Sequence, residues 1–338
     1  MSTVEGEPWP LVSIVFLAFN RRAQLAVSLE RVLEHLDYPH DRLEVVVVDN
    51  ASVDGTADMV TERFPAVRVI RNPVNVGASA WNDAMKSAEG RWRMILDDDC
   101  YIEDDALKQA VTSAEEHRAD LVSFRVESGE VPGYRINDQY ETGLLTFWGC
   151  SAMFSSRAIE TEPFYDPNIF IWANEMELTM RLLDRGYRHL HLPEVTAVHM
   201  TSPKVVLSAH AFRLNTRHFA YIAAKLMQPR DAAGALANLA LHVAAAAATG
   251  DLGKLRALGE IPRGVASGVR VRRPVRSEVS RVYRRHTWHF ASPISQLRSV
   301  ERLPGPTGQP EAARVRRNSR WFAKRPQYYP ESSAVLEL

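Results

Sequence analysis

RWRMILDDDCYIEDDAL, residues 91–107, runs from a short apolar segment straight into three consecutive acids, Asp97, Asp98 and Asp99, and then into residues of helical character. An apolar run of this length that ends in charge reads as a buried strand emptying into a turn. Ligand sites of open α/β sheets lie beyond the carboxyl ends of their strands, so these acids stand where such a site is expected. Adjacent carboxylates repel one another, and a hard cation such as Mg²⁺ or Mn²⁺ holding a substrate diphosphate would offset the repulsion. The competing reading is a solvated turn in which Asp97 or Asp99 caps a helix beginning near Glu103. From these residues alone both readings stand.

Outward from this stretch, residues 11–126 alternate β-type and helical segments: LVSIVFLA, then Arg21 to Leu36; LEVVVVD, then Asp54 to Phe64; AVRVI, then Ala78 to Ala88; RWRMIL, then Asp104 to His117; and DLVSFRV. Such alternation predicts βαβ crossovers and an α/β fold with a mostly parallel twisted sheet flanked by helices. The run VVVV at 45–48 is apolar at successive positions, as a strand covered on both faces requires. Two further segments can meet a ligand. VVVVDNASVDGT (45–56) ends a strand in Asp49, where a carboxylate faces a nucleotide base or ribose, while Ser52 or Asp54 caps the next helix. NPVNVGASAWNDAM (72–85) brings Gly77, Asn75 and Asn82 together ahead of a helix, which suits close approach to polar ligand atoms.

With 338 residues, 46% of them apolar, the chain can bury a large core. Cys100 and Cys150 are too few for a disulfide framework or a Cys-rich metal site and read as ordinary thiols. MSTVEGEPWP lacks the basic start of a secretory signal, and the apolar LVSIVFLAF is too short for a membrane span, so a cytoplasmic location is expected. Net charge is zero, yet residues 1–250 hold 23 Lys and Arg against 34 Asp and Glu, and residues 251–338 hold 18 against 7. A basic appendage of this kind docks on its own acidic body or on an anionic partner, here the inner face of a membrane. It lacks zinc-finger spacing and RNP-like aromatics, so nucleic acid is not the expected partner. AHAFRLNTRHFAYIAAKL and AAGALANLALHVAAAAATG read as packed helices, the second being Ala-dominated and interrupted by Asn238 and His242.

In this order, the motifs resemble the family 2 glycosyltransferases, inverting enzymes of GT-A fold, and most closely the rhamnosyltransferase-like members. LAFN keeps the asparagine of the family's opening motif as Asn20; Asp49 matches its base-binding aspartate, Asn75 and Gly77 its Asn-x-Gly, and Asp97 and Asp99 its Asp-x-Asp. Downstream, WGCSAMFSSRAIE (148–160) looks like the acceptor-side strand. FIWANEMELTMRLLDRGYRHLHLPEVTAVHM (170–200) looks like the Glu-Asp-x-Asp-Leu helix followed by the strand ending in a ligand histidine. The resemblance covers about residues 11–225. It implies a GT-A catalytic domain over 1–202, with donor half 11–126 and acceptor half 127–202, a helical extension over 203–292 and a loosely structured tail over 293–338.

The resemblance also assigns roles. Asn20, Asp49, Asn75, Gly77, Asn82, Asp97 and Asp98 fall on the nucleotide-sugar side, Asp99 and His199 are metal ligands for Mn²⁺ or Mg²⁺, and the catalytic base is Glu175, because the family's Glu-Asp pair is Asn174-Glu175 here. Glu177 precedes Arg181 by four residues and reads as a salt-bridge partner. The implied reaction moves a sugar from a UDP- or dTDP-sugar to a hydroxyl of a carbohydrate, lipid-linked or small-molecule acceptor, with inversion. Trp148, Phe170, Trp172 and the loop 127–146, with Tyr134, Arg135, Asn137 and Tyr140, are the expected acceptor side. A sugar-nucleotide nucleotidyltransferase would carry a Gly-rich phosphate loop after the first strand, and FLAFNRRAQL has no glycine. A degenerate carbohydrate-binding protein would not be expected to retain Asp97, Asp99, Glu175 and His199.

Overall fold

The computed structural model describes residues 9–130, 145–160, 163–200, 208–248, 252–290, 300–302, 313–315 and 334–336. The chain forms two compact units: Met1–Asn137 with Thr146–Ser202 and Pro330–Glu337, and Asp138–Leu145 with Pro203–Tyr329 and Leu338.

The first unit is a mixed α/β layer structure. β1 (Val12–Ala18) pairs in parallel with β2 (Leu43–Asp49) and β4 (Trp92–Asp97), and β3 (Arg68–Arg71) extends the sheet beyond β2. The register sets Ala18 beside Asp49 and Leu17 beside Asp97, so three strands end together at one edge. β7 (Ser151–Ser155) lies antiparallel between β4 and β6 (Leu121–Ser128), and β8 (His189–His199) runs parallel to β6. Side chains of β1 and β4 are buried on both faces. Phe16, Leu96 and Phe124 pack toward α1 (Arg22–Glu30), α2 (Thr56–Arg63) and α4 (Ala106–Glu116). Val15, Val46, Ile95 and Phe154 pack toward α3 (Trp81–Ser87), α5 (Ser156–Ile159) and α6 (Asn174–Asp184). Each strand therefore buries apolar surface twice, at roughly 25 cal/mol per Å².

Two expectations from the sequence are corrected. The helix after the acids begins at Ala106 rather than near Glu103, and neither Asp97 nor Asp99 caps it. Between them stands β5 (Cys100–Ile102), which pairs antiparallel with β8 and sets Cys100 beside His199. The helix expected from Arg21 to Leu36 is regular only to Glu30 and widens into a single π-helical turn over Arg31–His35. From the tail, β11 (Ala334–Leu336) joins the sheet on β8, and β9 (Val300–Arg302) pairs with β10 (Ala313–Val315). The loop side chains Tyr134, Arg135, Asn137 and Tyr140 lie outside the described residues.

The second unit is helical: α7 (Ala209–Leu226), α8 (Pro229–Ala248), α9 (Glu260–Arg270) and α10 (Ser277–Phe290). Gly264 and Gly268 let α9 lie directly on Ala220 and Ala224 of α7, because a Cβ at either would overlap the α7 backbone. α8 has the length and apolar character of a membrane span, and it packs Val243 and Ala246 with Phe212 and Ala257.

Candidate active site

The aligned ends of β1, β2 and β4 create a polar edge. Asn20 follows β1 in a left-handed conformation (φ 55°); its amide oxygen accepts from Val53 N at 2.8 Å, and its own N–H donates to Ser52 Oγ at 3.0 Å. Asp54 receives the amides of Arg22 at 3.0 Å and Thr56 at 3.1 Å, tying α1 to α2. Asp49, the last residue of β2, is buried and accepts from Ser52 N at 3.3 Å.

Asn50, which was not singled out in the sequence, organises the neighbouring loop. Its amide nitrogen donates to Asn75 Oδ1 at 2.8 Å and Gly77 O at 3.3 Å, and its amide oxygen accepts from Asn72 and Val76. Asn75 thereby serves the loop itself. Gly77 takes φ 67°, and a Cβ there would collide with the Phe170 carbonyl, which accepts from Ala78 N at 2.7 Å. The close approach expected of a ligand at Gly77 is made by the chain's own backbone. Asn82 likewise spends both ends of its amide on the backbone of Tyr165, each at 2.8 Å.

The three acids diverge. Asp98 is turned back to the edge of β1, accepting from Phe19 N at 3.0 Å. Asp99, 1% exposed, takes a hydrogen bond from Arg21 Nη1 on one oxygen; its other oxygen, Oδ1, accepts none among the described residues and lies 3.5 Å from His199 Nε2. Asp97 completes a group with Asp99 and His199 whose candidate ligand atoms all lie within 4.8 Å of one another. Burial raises the Asp97 carboxyl to about 8, helped by the nearby charges of Asp98 and Glu175 and opposed by Arg21. Burial also raises Asp98, against the Phe19 amide and Arg21. Two carboxylates, one of them with a buried oxygen that accepts no hydrogen bond among the described residues, and an imidazole are a donor set that suits Mn²⁺ or Mg²⁺, the oxygens for either and the imidazole for Mn²⁺.

Glu175 is the second residue of α6, and burial raises its carboxyl to about 7. The two residues before the helix, Trp172 and Ala173, both hold positive φ (62° and 65°). That conformation costs an L-residue on the order of 1 kcal/mol or more, and surrounding packing must enforce it. Gly149 presses on the carboxylate: a Cβ there would overlap Glu175 Oε1. Glu177 is different. It is fully buried and bound twice by Arg181 Nε at 2.9 Å and once by Arg181 Nη2 at 2.8 Å, and that same Nη2 also holds the Phe164 carbonyl at 2.7 Å. His189 and His191 flank Ser123 Oγ at 2.8 and 3.0 Å, and burial holds His191 down at about 4.

Asp97, Asp99, His199 and Glu175 are thus brought to one place, with Asp49 at the end of the second neighbouring strand. Asn75, Gly77 and Asn82 shape the loop beside them. Arg21 was missed, although the doublet FNRR facing DDD across adjacent strand ends is a charge complement visible in the sequence.

Residues 13–173 match the sequence model described as glycosyl transferase family 2. Among named proteins, the chain is 22% identical over 220 residues to a dolichyl N-acetyl-α-D-glucosaminyl phosphate 3-β-D-2,3-diacetamido-2,3-dideoxy-β-D-glucuronosyltransferase of Methanococcus voltae, covering 57% of this chain and 68% of that one. Among solved structures it is similar to the mannosyltransferase PcManGT of Pyrobaculum calidifontis in complex with GDP-Man and Mn²⁺, at TM-score 0.55 and 22% identity over 86% of this chain and 91% of that one. It is also similar to residues 1–349 of Staphylococcus aureus TarS in complex with UDP-GlcNAc, at TM-score 0.55 and 18% identity over 90% and 100%. At these identities the solved structures establish the fold.

The two glutamates of α6 should respond in opposite directions. Glu177→Gln removes the buried negative charge opposite Arg181 while leaving the bond to the Phe164 carbonyl, and should cost about 3–5 kcal/mol in urea unfolding, far above the few tenths expected of an exposed helix pair. Glu175 holds its proton more tightly folded than unfolded, so its ionisation costs stability as pH rises through about 7. Glu175→Gln should therefore raise Tm at pH 8 and change it little at pH 5. Equal responses of the two variants would contradict both assignments.

Proposed function

We propose that this chain, whose residues 13–173 belong to glycosyl transferase family 2, transfers a sugar from a UDP- or dTDP-sugar to an acceptor hydroxyl with inversion and with the help of a divalent cation. It is a glycosyltransferase of GT-A fold that uses a nucleotide-sugar donor. One observation supports the finer reading: the half-buried Glu175 carboxylate, held near neutrality, is close enough to the Asp97, Asp99 and His199 cluster to raise Asp97 by its charge.

In this reading Asp49 accepts the imide N–H of uracil or thymine, and Asp97 lies on the ribose side. Glu175 takes the proton of the acceptor hydroxyl; that oxygen attacks the anomeric carbon from the face opposite the diphosphate, the bond to the diphosphate breaks, and the configuration inverts. A raised pKa favours this step, because a base near 7 is about half ionised at neutral pH yet holds the proton well once taken. Mn²⁺ or Mg²⁺ held by Asp99 and His199, with Asp97 beside them, would supply electrostatic stabilisation to the negative charge developing on the leaving diphosphate. The burial of Asp98 and Asp99 limits the screening of these charges by water.

A thermal-shift panel tests the donor side, since a ligand stabilises the fold by mass action. UDP and dTDP with Mn²⁺ should raise Tm more than ADP or GDP, EDTA should abolish the shift, and Asp49→Ala should erase the ranking. Glu175→Gln should keep the UDP shift while slowing transfer by roughly 10²- to 10⁴-fold. A shift indifferent to chelator, or a Glu175→Gln enzyme of normal turnover, would contradict the assignments.

The acceptor we propose is membrane-associated. The Methanococcus voltae relative is named for a dolichyl phosphate-linked sugar. The second unit of this chain exposes Leu255, Leu258, Val269 and Val271 along with Arg256, Arg270 and Arg273. Each Lys or Arg near an anionic surface contributes about 1 kcal/mol. The protein should co-sediment with phosphatidylglycerol vesicles at low salt and be released by high salt; no salt-sensitive binding would leave a soluble acceptor as the better account.

A further inference from the structure

The guanidinium of Arg21 is the cation that stands at the acids in this structure. The hydrogen bond to them is made by Nη1, which binds Asp99 Oδ2 and stands 3.6 Å from Asp98 Oδ1. An arginine built to stay on a carboxylate presents two nitrogens in parallel; this one is monodentate. Its side chain is 41% exposed, while those of Asp98 and Asp99 are 10% and 1% exposed. The acids are therefore fixed inside the fold, and Arg21 is the partner that can retreat into water. It follows Asn20, whose left-handed turn is tied to the next loop by the Val53 and Ser52 hydrogen bonds, so the backbone beneath Arg21 is held while its side chain is part-exposed. The oxygen that Arg21 occupies belongs to the carboxylate whose other oxygen, beside His199, accepts no hydrogen bond among the described residues.

Resting on the metal reading above, we propose that Arg21 is an exchangeable cation: it holds the Asp99 carboxylate when no divalent ion is bound and yields it when one arrives. A site that must first release a competitor binds with an apparent affinity reduced by the fraction of molecules in which the site is free. Arg21 thus lowers the affinity for metal alone, keeps the acids from unpaired repulsion in its absence, and is released beside the position of the donor's diphosphate.

The test is Mn²⁺ binding to nucleotide-free protein, read from the electron paramagnetic resonance signal of free Mn²⁺. Arg21→Gln should bind Mn²⁺ about tenfold more tightly than the wild type. Arg22→Gln removes the same charge one residue on, at an exposed position with no ion pair to the acids, and should stay within about twofold of the wild type. Equal affinity of the wild type and Arg21→Gln, or an equal gain in Arg22→Gln, would overturn the exchange. Mn²⁺ binding by neither wild type nor Arg21→Gln would contradict the metal reading itself. Should Arg21→Gln lose its fold, the wild type carries the test through ¹⁵N spectra of its arginine side chains. Adding Mg²⁺ should shift one guanidinium resonance, absent from Arg21→Lys, and no shift would overturn the proposal.

Discussion

Carboxylates crowded out of water at the end of β4 are the constraint on which this structure turns. Asp97, Asp98 and Glu175 are all raised by burial, and Asp99 is sealed from solvent beside them. A buried charge of this kind costs several kcal/mol unless something compensates it. Arg21 and the Phe19 amide supply part of that compensation. The remainder is an electrostatic demand for positive charge, placed where the strand edge opens and directed at whatever cation and anion pair binds there.

The rest of the fold keeps this demand in place. Parallel registry of β1, β2 and β4 brings Asn20, Asp49 and Asp97 to one edge. The short antiparallel contact of β5 with β8 delivers His199 to Asp99 across nearly a hundred residues of chain. On the other side, two consecutive left-handed residues aim the first turn of α6, and Gly149 leaves room for the Glu175 carboxylate. Strain and burial are concentrated at this edge, as in sites where geometry is held against its own cost.

Legibility in the sequence followed the physics of each element. β1, β2 and β4 could be read because strands covered on both faces must be apolar at every position, and α7 because its apolar spacing is helical throughout. β5 could not: three residues, CYI, between two acidic clusters carry no period, and their reason for being extended is a partner on β8. Asp97 and Asp99 were legible as acids at a strand end, whereas His199 and Glu175 were singled out only through the family resemblance. Asn75, Gly77 and Asn82 were read as ligand contacts because polar residues and glycine before a helix suit either a ligand or a loop. Asn50, Phe170 and Tyr165, which show the loop in these hydrogen bonds, are distant in sequence. For the same reason the pairing of Glu177 with Arg181 was visible, but its burial was not.

The central claim is that the buried acids at the end of β4 exist to hold a divalent cation against a diphosphate. Crystals grown with Mn²⁺ and UDP, measured at the manganese absorption edge, test it most directly. The account predicts a single anomalous peak within coordination distance of Asp99 and His199, with the UDP diphosphate on the same ion. Bound UDP with no anomalous peak at Asp99 would contradict it.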